Sequence, residues 1–376
     1  MYYNIRNLCL SERKYRKMQK FRRIGVLTSG GDAPGMNACI RAITRKALDE
    51  GIEVVGFLGG YAGLMSGNFV PLTPRSVSNI ITKGGTMLYS ERATEFKTPE
   101  GMAKAIKTCK DNNIDAIVAC GGDGTFRGAT DLTRHGIPAV GVPCTIDNDI
   151  TATDYTIGFD TAMNTVLKLI DDLRDTCESH ARCNVVEVMG RDCGLIALNS
   201  GIATGAVAIA IAEAPFDEAT ALNKIKEIKA AGKRGMIVAI SEGVKPTADG
   251  TNYGEYLTKK IEAETGIETR FCRFAHIVRG GSPTLRDRLT ATRMSAAAVD
   301  ALLRGESNIV ICEIDGEIKP VEINFALIVD RMYKGKLKDG DLDAFTKEQI
   351  AEMEAICKKR KAEIDELMAL SKVVCK

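Results

Sequence analysis

The chain has 376 residues, of which 45% are hydrophobic and 27% are charged, and its formal net charge is +2. This length exceeds what one hydrophobic core usually supports, so the sequence predicts two domains with the composition of an ordinary soluble globular protein. The near-neutral charge argues against a nucleic acid or a membrane surface as the principal partner, and no apolar run is long enough to span a membrane.

The segment 1–20 is polar and basic and precedes the first predicted strand. It has charges but neither the apolar core nor the cleavage site of a secretory signal, so we predict a basic N-terminal arm in a cytoplasmic protein. The twelve cysteines form no CxxC pair, and the three histidines are scattered along the chain. This usage predicts reduced, mostly buried thiols and no zinc site.

After Phe21 the sequence repeats one unit, in which a glycine-rich turn joins an apolar strand to an amphipathic helix. The first clear unit has a strand predicted over 22–28, a loop over 30–35 and a helix over 36–49. The second has a strand over 114–120, a loop over 121–125 and a helix over 126–134. Near-continuous apolar strands that alternate with helices predict an α/β fold with parallel sheets buried on both faces.

A long helix, predicted over 161–177, marks a second α/β domain that begins near Gly158. Further strands are predicted over 184–189, 206–212, 235–240 and 308–313. Thr346 and Gln349 form a capping box, from which a charged helix runs towards Leu370. One apolar stripe predicts that this helix docks on the body or on another subunit, although a surface helix without function is the simpler interpretation. The stripe comprises Ile350, Met353, Cys357, Ile364 and Leu367.

Two glycine-rich loops follow predicted strands. The first, TSGGDAPGMN at 28–37, places glycines where the backbone can approach an anion at a helix N-terminus. Its spacing matches neither the dinucleotide motif nor the P-loop. The second, GGDGT at 121–125, adds Asp123, and a carboxylate beside a phosphate cradle suits Mg²⁺. GGDGT also occurs in NAD kinases, so it indicates a chemistry rather than one protein.

A third loop, PCTIDND at 143–149, follows the apolar run 137–142. The alternation of Thr145, Asp147 and Asp149 would point all three side chains the same way if the segment stays extended. Two carboxylates and a hydroxyl beyond a strand's carboxyl end suit a base and a cation site. Together with two phosphate cradles, they predict phosphoryl transfer, which depends on positioning, charge neutralisation and a base for the acceptor hydroxyl.

Five long motifs in this order closely resemble the phosphofructokinase family: TSGGDAPGMN, GGDGT, TIDNDITATDYTIGFDTA, VVEVMGRDCG and HIVRGGSPTLRDR. The resemblance implies two Rossmann-like domains with mainly parallel sheets, an active site in the cleft between them and a homotetramer. It predicts a nucleotide-binding domain at 21–157 plus about 277–327, and a sugar-phosphate domain at 158–276 plus about 328–345. The remaining residues, 346–376, are a predicted C-terminal helical extension.

The resemblance implies ATP and fructose 6-phosphate as substrates, with Mg²⁺ as the cofactor. Asp147 resembles the base that takes the proton from the sugar 1-hydroxyl, and Asp123 with Asp149 resembles the metal site. Arg92 and Arg191 would neutralise charge on the transferring phosphoryl group. Thr145, Asp147, Arg92 and Arg191 are therefore the predicted catalytic set. The implied nucleotide contacts are Gly31, Arg92, Gly122, Asp123, Gly124 and Thr125.

The substrate contacts implied by the resemblance fall in two groups. The sugar group comprises Thr145, Ile146, Asp147, Met189, Gly190, Arg191 and Glu242. The 6-phosphate and sugar group comprises Arg182, Arg270, His276 and Arg279. Arginine forks suit a phosphate dianion. In the family, the counterparts of Arg182 and Arg270 come from a neighbouring subunit, so activity would require assembly.

Two positions bear on the phosphoryl donor. Gly124 matches the ATP users, because a bulkier aspartate there would block the α-phosphate region. Cys144 stands where ATP users have glycine and pyrophosphate users have lysine; it is small and uncharged, which favours ATP. The pyrophosphate-dependent enzyme is the alternative, with an NAD-kinase-like kinase, a lipid-kinase relative or a non-catalytic regulatory paralogue more remote. A thiol at position 144 is either reactive or inertly packed.

The effector site of the bacterial enzyme is only partly matched. Its positive cluster, which binds ADP or phosphoenolpyruvate, is matched by Arg41, Arg45, Arg174 and Lys233. However, Pro74 replaces an arginine, Val207 a glutamate and Ala231 a lysine. The loss of two cations and one carboxylate predicts weak or altered allosteric control.

Overall fold

A computed structural model describes residues 21–375, and the predicted N-terminal arm lies outside them. Within this range the strands form one sheet of seven and one of four. The strands are β1 Arg23–Thr28, β2 Glu53–Phe57, β3 Phe69–Leu72, β4 Ala116–Gly121, β5 Ala139–Pro143, β6 Cys183–Val188, β7 Ala208–Ala210, β8 Met236–Ser241, β9 Thr269–Arg273, β10 Ile309–Ile314 and β11 Glu317–Glu322.

Helices connect most of the strands. They are α1 Met36–Asp49, α2 Tyr61–Ser66, α3 Pro99–Asp111, α4 Asp123–Arg134, α5 Phe159–His180, α6 Leu195–Ala203, α7 Glu218–Ala230, α8 Tyr253–Thr265, α9 Leu285–Leu303, α10 Ile323–Tyr333 and α11 Lys347–Val374, with 3-10 helices at Thr94–Lys97 and Ala275–Arg279. Among the described residues, no helix combines the length and the apolar character needed to cross a membrane.

The larger sheet has the order β11-β10-β5-β4-β1-β2-β3, in which the five inner strands are parallel and both edge strands antiparallel. The smaller sheet, β7-β8-β6-β9, is entirely parallel. Parallel strands present their carboxyl ends at the same edge of a sheet, which is where α/β folds bind ligands. The loops after β1, β4 and β5 therefore share one edge, and those after β6, β8 and β9 share another.

The predicted α/β fold with mainly parallel sheets is confirmed. Helix α1 has the predicted bounds, whereas the loop predicted over 121–125 is wrong in its second half because α4 already begins at Asp123. Strands β2, β3, β9 and β11 were not predicted; the first three have at most five residues, and β9 and β11 carry charged side chains that break an apolar run. The domain boundaries stay a prediction.

A buried carboxylate fixes the start of α5. Asp287 of α9 is fully buried and accepts hydrogen bonds from the Tyr155 hydroxyl at 2.5 Å and from the backbone amides of Gly158 at 2.7 Å and Thr161 at 2.9 Å. An anion at a helix N-terminus is stabilised by the unpaired amides there. This contact ties the segment after the third loop to the start of α9.

Candidate active site

The two glycine-rich loops lie side by side because β1 and β4 are parallel neighbours. The Ser29 amide donates to the Cys120 carbonyl at 3.0 Å, and the Thr125 hydroxyl donates to the Ser29 carbonyl at 3.1 Å. The predicted nucleotide contact Thr125 is thus nearly buried and joins the two loops rather than pointing outward. The Tyr61 hydroxyl donates a buried hydrogen bond to the Thr125 carbonyl at 2.6 Å, which fixes the backbone where the two loops meet.

The glycines of these loops leave open backbone. A Cβ added at Gly122 or Gly124 would meet no atom within 4 Å, so the first turn of α4 borders open space. A Cβ at Gly31 would instead approach the Arg279 guanidinium to 2.6 Å. The predicted nucleotide contact Arg92 is exposed and lies two residues beyond Ser90, whose hydroxyl donates to the Gly30 carbonyl. Free amides and an adjacent cation make this edge suitable for phosphate groups.

The third loop does not stay extended, so the condition under which Thr145, Asp147 and Asp149 would share one direction is not met. Strand β5 ends at Pro143, the chain turns at 146–147, and Asn148 has a left-handed φ of 49°. The Asp147 amide donates to the Thr145 hydroxyl at 3.2 Å, a local turn that competes with extended structure. The Ile146 side chain is fully buried in the core, so only its backbone can reach a ligand.

Asp147 is an unusual carboxylate. It is 2% exposed, and its Oδ1 has no hydrogen-bond partner among the described residues. Burial, together with the charge of Asp149, raises the pKa of Asp147, while Arg279 and Arg191 oppose the shift. The Arg191 Nε lies 4.0 Å from Asp147 Oδ2. A buried acceptor without a donor costs free energy unless a ligand satisfies it, so Oδ1 marks a place for a hydroxyl group.

A second acidic cluster surrounds Asp123. Burial and the charge of Asp330 raise the pKa of Asp123 to about 7, and Asp149 adds to the shift. Lys334 Nζ lies 2.9 Å from Asp330 Oδ2 and 3.6 Å from Asp149 Oδ2. The structure therefore brings the two predicted metal ligands into one electrostatic cluster, in which one ammonium faces three carboxylates. The Thr151 hydroxyl donates to Asp330 Oδ1 at 3.0 Å and orients it.

Sequence reasoning did not find Asp330 and Lys334. They are four residues apart on and just after α10, and such a pair on a helix is ordinarily a surface ion pair. Their exposed fractions of 6% and 20% show that this pair is largely buried instead. The contact with Asp149 in the third loop, about 180 residues earlier in the chain, distinguishes this pair from a surface ion pair. Local sequence spacing does not predict a contact over that separation.

The loop after β6 carries the predicted residues Met189, Gly190 and Arg191. Glu242, which follows β8, accepts the backbone amides of Gly190 at 3.0 Å and Arg191 at 2.7 Å. Gly190 has φ 153°, and a Cβ there would lie 2.3 Å from the Cys193 carbonyl oxygen. Glu242 therefore shapes the turn that presents Arg191, whose side chain is 69% exposed.

The 3-10 helix after β9 carries His276 and Arg279. Arg279 donates to the Asp32 carbonyl at 3.2 Å, so this residue from beyond the smaller sheet reaches the first glycine-rich loop on the larger one. Its charge also acts on Asp147. His276 is exposed. The predicted contacts Arg191, Glu242 and Arg279 thus border the same space as the three loops of the larger sheet.

Arg182 and Arg270 lie elsewhere. Arg182 immediately precedes β6, and Arg270 is the second residue of β9, where it pairs with Asn184 of β6. Both therefore lie at the amino ends of these strands, whereas the site borders the carboxyl ends. Six residues of strand span about 20 Å, so neither side chain shares the site of its own chain. Arg182 Nε lies 2.9 Å from Glu268 Oε2, and Arg270 pairs with the same carboxylate. Two guanidiniums on one carboxylate leave an excess positive charge at this end.

Cys144 belongs to a buried group of thiols. The sulfur atoms of Cys39, Cys120 and Cys144 lie within 4.8 Å of one another, and Cys39 Sγ is 3.6 Å from Cys144 Sγ. Cys144 is 1% exposed, and burial raises its pKa. Because the thiolate is the reactive form, this environment favours the inert, packed interpretation over the reactive one.

We expect iodoacetamide to leave Cys144 unmodified in the native protein, because the thiol is neither exposed nor ionised. Peptide mass spectrometry after alkylation measures this directly, and the same treatment in denaturant is the control that must label it. Labelling of Cys144 under native conditions, with protection by ATP, would contradict the packed interpretation.

The residues matched to the effector site are divided. Arg45 and Pro74 border one open recess on the surface, together with Lys46 and Asp49. Val207, which stands in place of a glutamate, is a core residue at 1% exposure. Arg174 donates to the Thr204 carbonyl, so its guanidinium is partly committed to the fold. Weak or altered effector control remains a prediction.

The chain is similar to known proteins over most of its length. The family model described as phosphofructokinase matches residues 23–302. ATP-dependent 6-phosphofructokinase 1 of Clostridium perfringens is 48% identical over 316 residues, which are 84% of this chain and 97% of that protein. ATP-dependent 6-phosphofructokinase 1 of Thermus thermophilus is 50% identical over 298 residues, or 79% and 91% of the two chains.

Solved structures agree on the fold. Phosphofructokinase from Saccharomyces cerevisiae is 29% identical with a TM-score of 0.78; the match covers 86% of this chain and 47% of that one, so this chain spans about half its length. A pyrophosphate-dependent phosphofructokinase from Nitrosospira multiformis is 21% identical with a TM-score of 0.71 and coverage of 80% and 83%. At that identity the similarity concerns the fold alone.

Proposed function

The chain belongs to the phosphofructokinase family, and we propose that it is an ATP-dependent 6-phosphofructokinase. It transfers the γ-phosphoryl group of ATP to the 1-hydroxyl of fructose 6-phosphate, which yields ADP and fructose 1,6-bisphosphate, a step of glycolysis in the cytoplasm. The observation that carries the proposal is the buried Oδ1 of Asp147, which has no hydrogen-bond partner within residues 21–375 and lies beyond the carboxyl end of β5 between cationic side chains.

Asp147 is the proposed general base. A carboxylate takes the proton from the sugar hydroxyl as the oxygen attacks phosphorus, and this needs an oxygen atom free to accept. Oδ1 accepts no hydrogen bond from the part of the chain that the structure describes, while the Asp147 amide donates to the Thr145 hydroxyl. Burial and the charge of Asp149 raise the pKa of Asp147, which makes its carboxylate a stronger base than an exposed one.

Asp123 and Asp149 are the proposed ligands of Mg²⁺. The donor set fits a hard divalent cation, because three clustered carboxylates face one ammonium and the open backbone of the glycine-rich loops lies nearby. When bound, the ion would neutralise phosphate charge. The loops at 30–31 and 122–125, with Arg92, would hold the nucleotide phosphates, and Arg191 would face the transferring group.

The sugar phosphate is proposed to lie against the smaller sheet. Met189, Gly190, Arg191, Glu242, His276 and Arg279 would line this space. Arg182 and Arg270 of a neighbouring subunit would complete the 6-phosphate site, since their own chain keeps them at the opposite end of the strands. The active protein is thus proposed to be a homotetramer with shared sites.

The donor is tested by assaying the purified protein with fructose 6-phosphate and either Mg·ATP or Mg·pyrophosphate. We expect turnover with ATP and at most a few per cent of it with pyrophosphate, because position 144 supplies no positive charge for the smaller donor. Heat-inactivated protein is the control for background hydrolysis. Turnover with pyrophosphate alone would refute the ATP assignment and favour the alternative enzyme.

A further inference from the structure

The C-terminal helix α11 is part of the body of the protein. It begins with the predicted capping box of Thr346 and Gln349 and runs for 28 residues. Near its start, Met353 is fully buried against Phe325 and Val329 of α10, and further along Ile364 is 4% exposed. Of the alternatives predicted for this helix, which were docking on the body, docking on another subunit or a surface helix without function, the structure shows docking on the body. It lies beyond residues 23–302, to which the family model extends.

Between these apolar anchors, α11 touches the loop that carries the proposed base. The Arg360 side chain is 11% exposed, and its Nη2 donates to the backbone carbonyl of Asn148. The neighbouring Lys359 lies 2.8 Å from Asp315 Oδ1 and 3.4 Å from Asp154 Oδ1. A guanidinium with little solvent access forms a charge-assisted hydrogen bond with a fixed direction.

Asn148 lies between Asp147 and Asp149, so its conformation decides how both carboxylates are presented. Its φ of 49° is left-handed, a region that asparagine tolerates better than most residues. Its side chain is held at both ends: the amide donates to the Asp154 carbonyl at 3.3 Å, and the oxygen accepts from the Thr156 hydroxyl at 3.2 Å.

The remaining freedom is rotation of the peptide group that joins Asn148 to Asp149. This group is planar, so the carbonyl that Arg360 holds also fixes the direction of the Asp149 amide. On the other side of Asp149, the Lys334 ammonium donates to its carbonyl at 3.2 Å. The backbone of Asp149 is therefore held on one side from α11 and on the other from the residue that follows α10.

Arg360 also faces the second half of the site. Its charge acts on Glu213 and on the Cys193 thiol. The Cys193 amide donates to the Gly190 carbonyl at 2.9 Å, so Cys193 belongs to the turn that presents Arg191. Glu213 Oε1 accepts a hydrogen bond from the Gly194 amide at 2.7 Å, so Glu213 contacts the end of that turn. One cation of α11 thus lies between the loop of Asp147 and the turn of Arg191.

We propose that Arg360 is a positioning residue for phosphoryl transfer, which holds the peptide between Asn148 and Asp149 so that Asp147 and Asp149 keep their orientation. The role rests on the proposed function, because it acts through the proposed base and the proposed metal ligand. The C-terminal helix α11 thereby contributes to the geometry of the proposed active site through its contact with the third loop. It touches no reacting group itself.

The test compares Arg360→Ala with Lys361→Ala, a matched loss of one positive charge at the exposed neighbouring position on the same helix. We expect Arg360→Ala to lower kcat about tenfold, the order of one charge-assisted hydrogen bond, with KM for both substrates within about twofold. Lys361→Ala should match the wild type. Arg360→Lys, which keeps the charge, should recover kcat to within about threefold of the wild type.

A second readout does not depend on the reaction. Hydrogen exchange measured by mass spectrometry should be faster in peptides that cover 145–156 for Arg360→Ala, and unchanged for Lys361→Ala. Wild-type kcat in Arg360→Ala, or unchanged exchange in that segment, would overturn the role. If Arg360→Ala does not fold, Arg360→Gln is judged by the same criteria. A wild type that fails to use ATP and fructose 6-phosphate refutes the proposed function, whereas the exchange result still decides the role of Arg360 in holding the loop.

Discussion

Replacing Asp147 by serine is expected to lower kcat by about a hundred- to ten-thousandfold, the range attributed to a general base. The substitution removes the buried Oδ1, which has no partner among the described residues, and leaves a hydroxyl that is a far weaker base at neutral pH. The fold should survive, because Asp147 makes its local hydrogen bond through its backbone amide. Initial rates with saturating ATP and fructose 6-phosphate measure the effect.

The pH dependence of kcat follows from the same side chain. Only the ionised carboxylate accepts a proton, so kcat should fall as the pH drops through the pKa of Asp147. Burial and Asp149 raise this pKa above that of an ordinary aspartate, so the loss should begin at a higher pH than for an exposed carboxylate. In Asp147→Ser this acidic limb should disappear from the profile of the residual activity.

Asp172→Ser is a suitable control, because Asp172 is a 62% exposed aspartate on α5 that pairs only with Lys168 among the contacts described. Exposed ion pairs contribute little to stability, so this variant should keep wild-type kcat and thermal stability. An Asp147→Ser protein with kcat within a few-fold of the wild type would remove Asp147 from the role of base.

Local patterns predicted the strand–loop–helix units but not every contact that completes the site. The glycine-rich loops and the third loop follow apolar strands, and the parallel sheet places them at one edge whatever their separation in sequence. The alternation in the third loop left its backbone open, since alternating residues share one face only in an extended chain. Here the Thr145 hydroxyl captures the Asp147 amide, and a turn forms.

Asp330, Lys334 and Arg360 could not be predicted, for a common physical reason. Each is a charged residue on or beside a helix, and such residues are ordinarily solvated. What makes them part of the site is burial against the third loop, which depends on how α10 and α11 dock. The apolar stripe of α11 predicted docking, but a stripe alone does not specify the surface on which it docks.

The positions of Arg182 and Arg270 lead to the second large effect. Both lie at the amino ends of β6 and β9, whereas Asp147 lies with the residues at the strands' carboxyl ends. Glu268 neutralises only one of the two guanidiniums. A chain on its own therefore leaves a positive surface far from the proposed active site, where it could not contact the phosphate of the proposed substrate. Assembly supplies both if a neighbour presents this surface across a symmetric interface.

Mixed oligomers of two inactive variants should therefore regain activity. Asp147→Asn and Arg270→Ala are each expected to be nearly inactive alone. In a pair of subunits with reciprocal sites, one chain of each kind yields one site with an intact Asp147 and a partner's intact Arg270. Random equal mixing makes half of the pairs mixed, and half of their sites intact, so activity should return to about a quarter of the wild type. Co-expression of the two variants at equal levels, followed by assay of the total purified protein without selection for mixed oligomers, measures it.

The matched control is a mixture of Asp147→Asn with Arg191→Ala instead of Arg270→Ala. The Arg191 Nε lies 4.0 Å from Asp147 Oδ2 of the same chain, so mixing Arg191→Ala with Asp147→Asn cannot assemble an intact site. The activity of this mixture should not exceed that of the two variants assayed separately. Activity in both mixtures, or in neither, would mean that Arg270 is not supplied across the interface. Recovery in the first mixture alone would mean that Arg270 is supplied by the neighbour. Arg191 follows the carboxyl end of β6 and acts within its own chain, whereas Arg270 lies about 20 Å away at the amino end of β9.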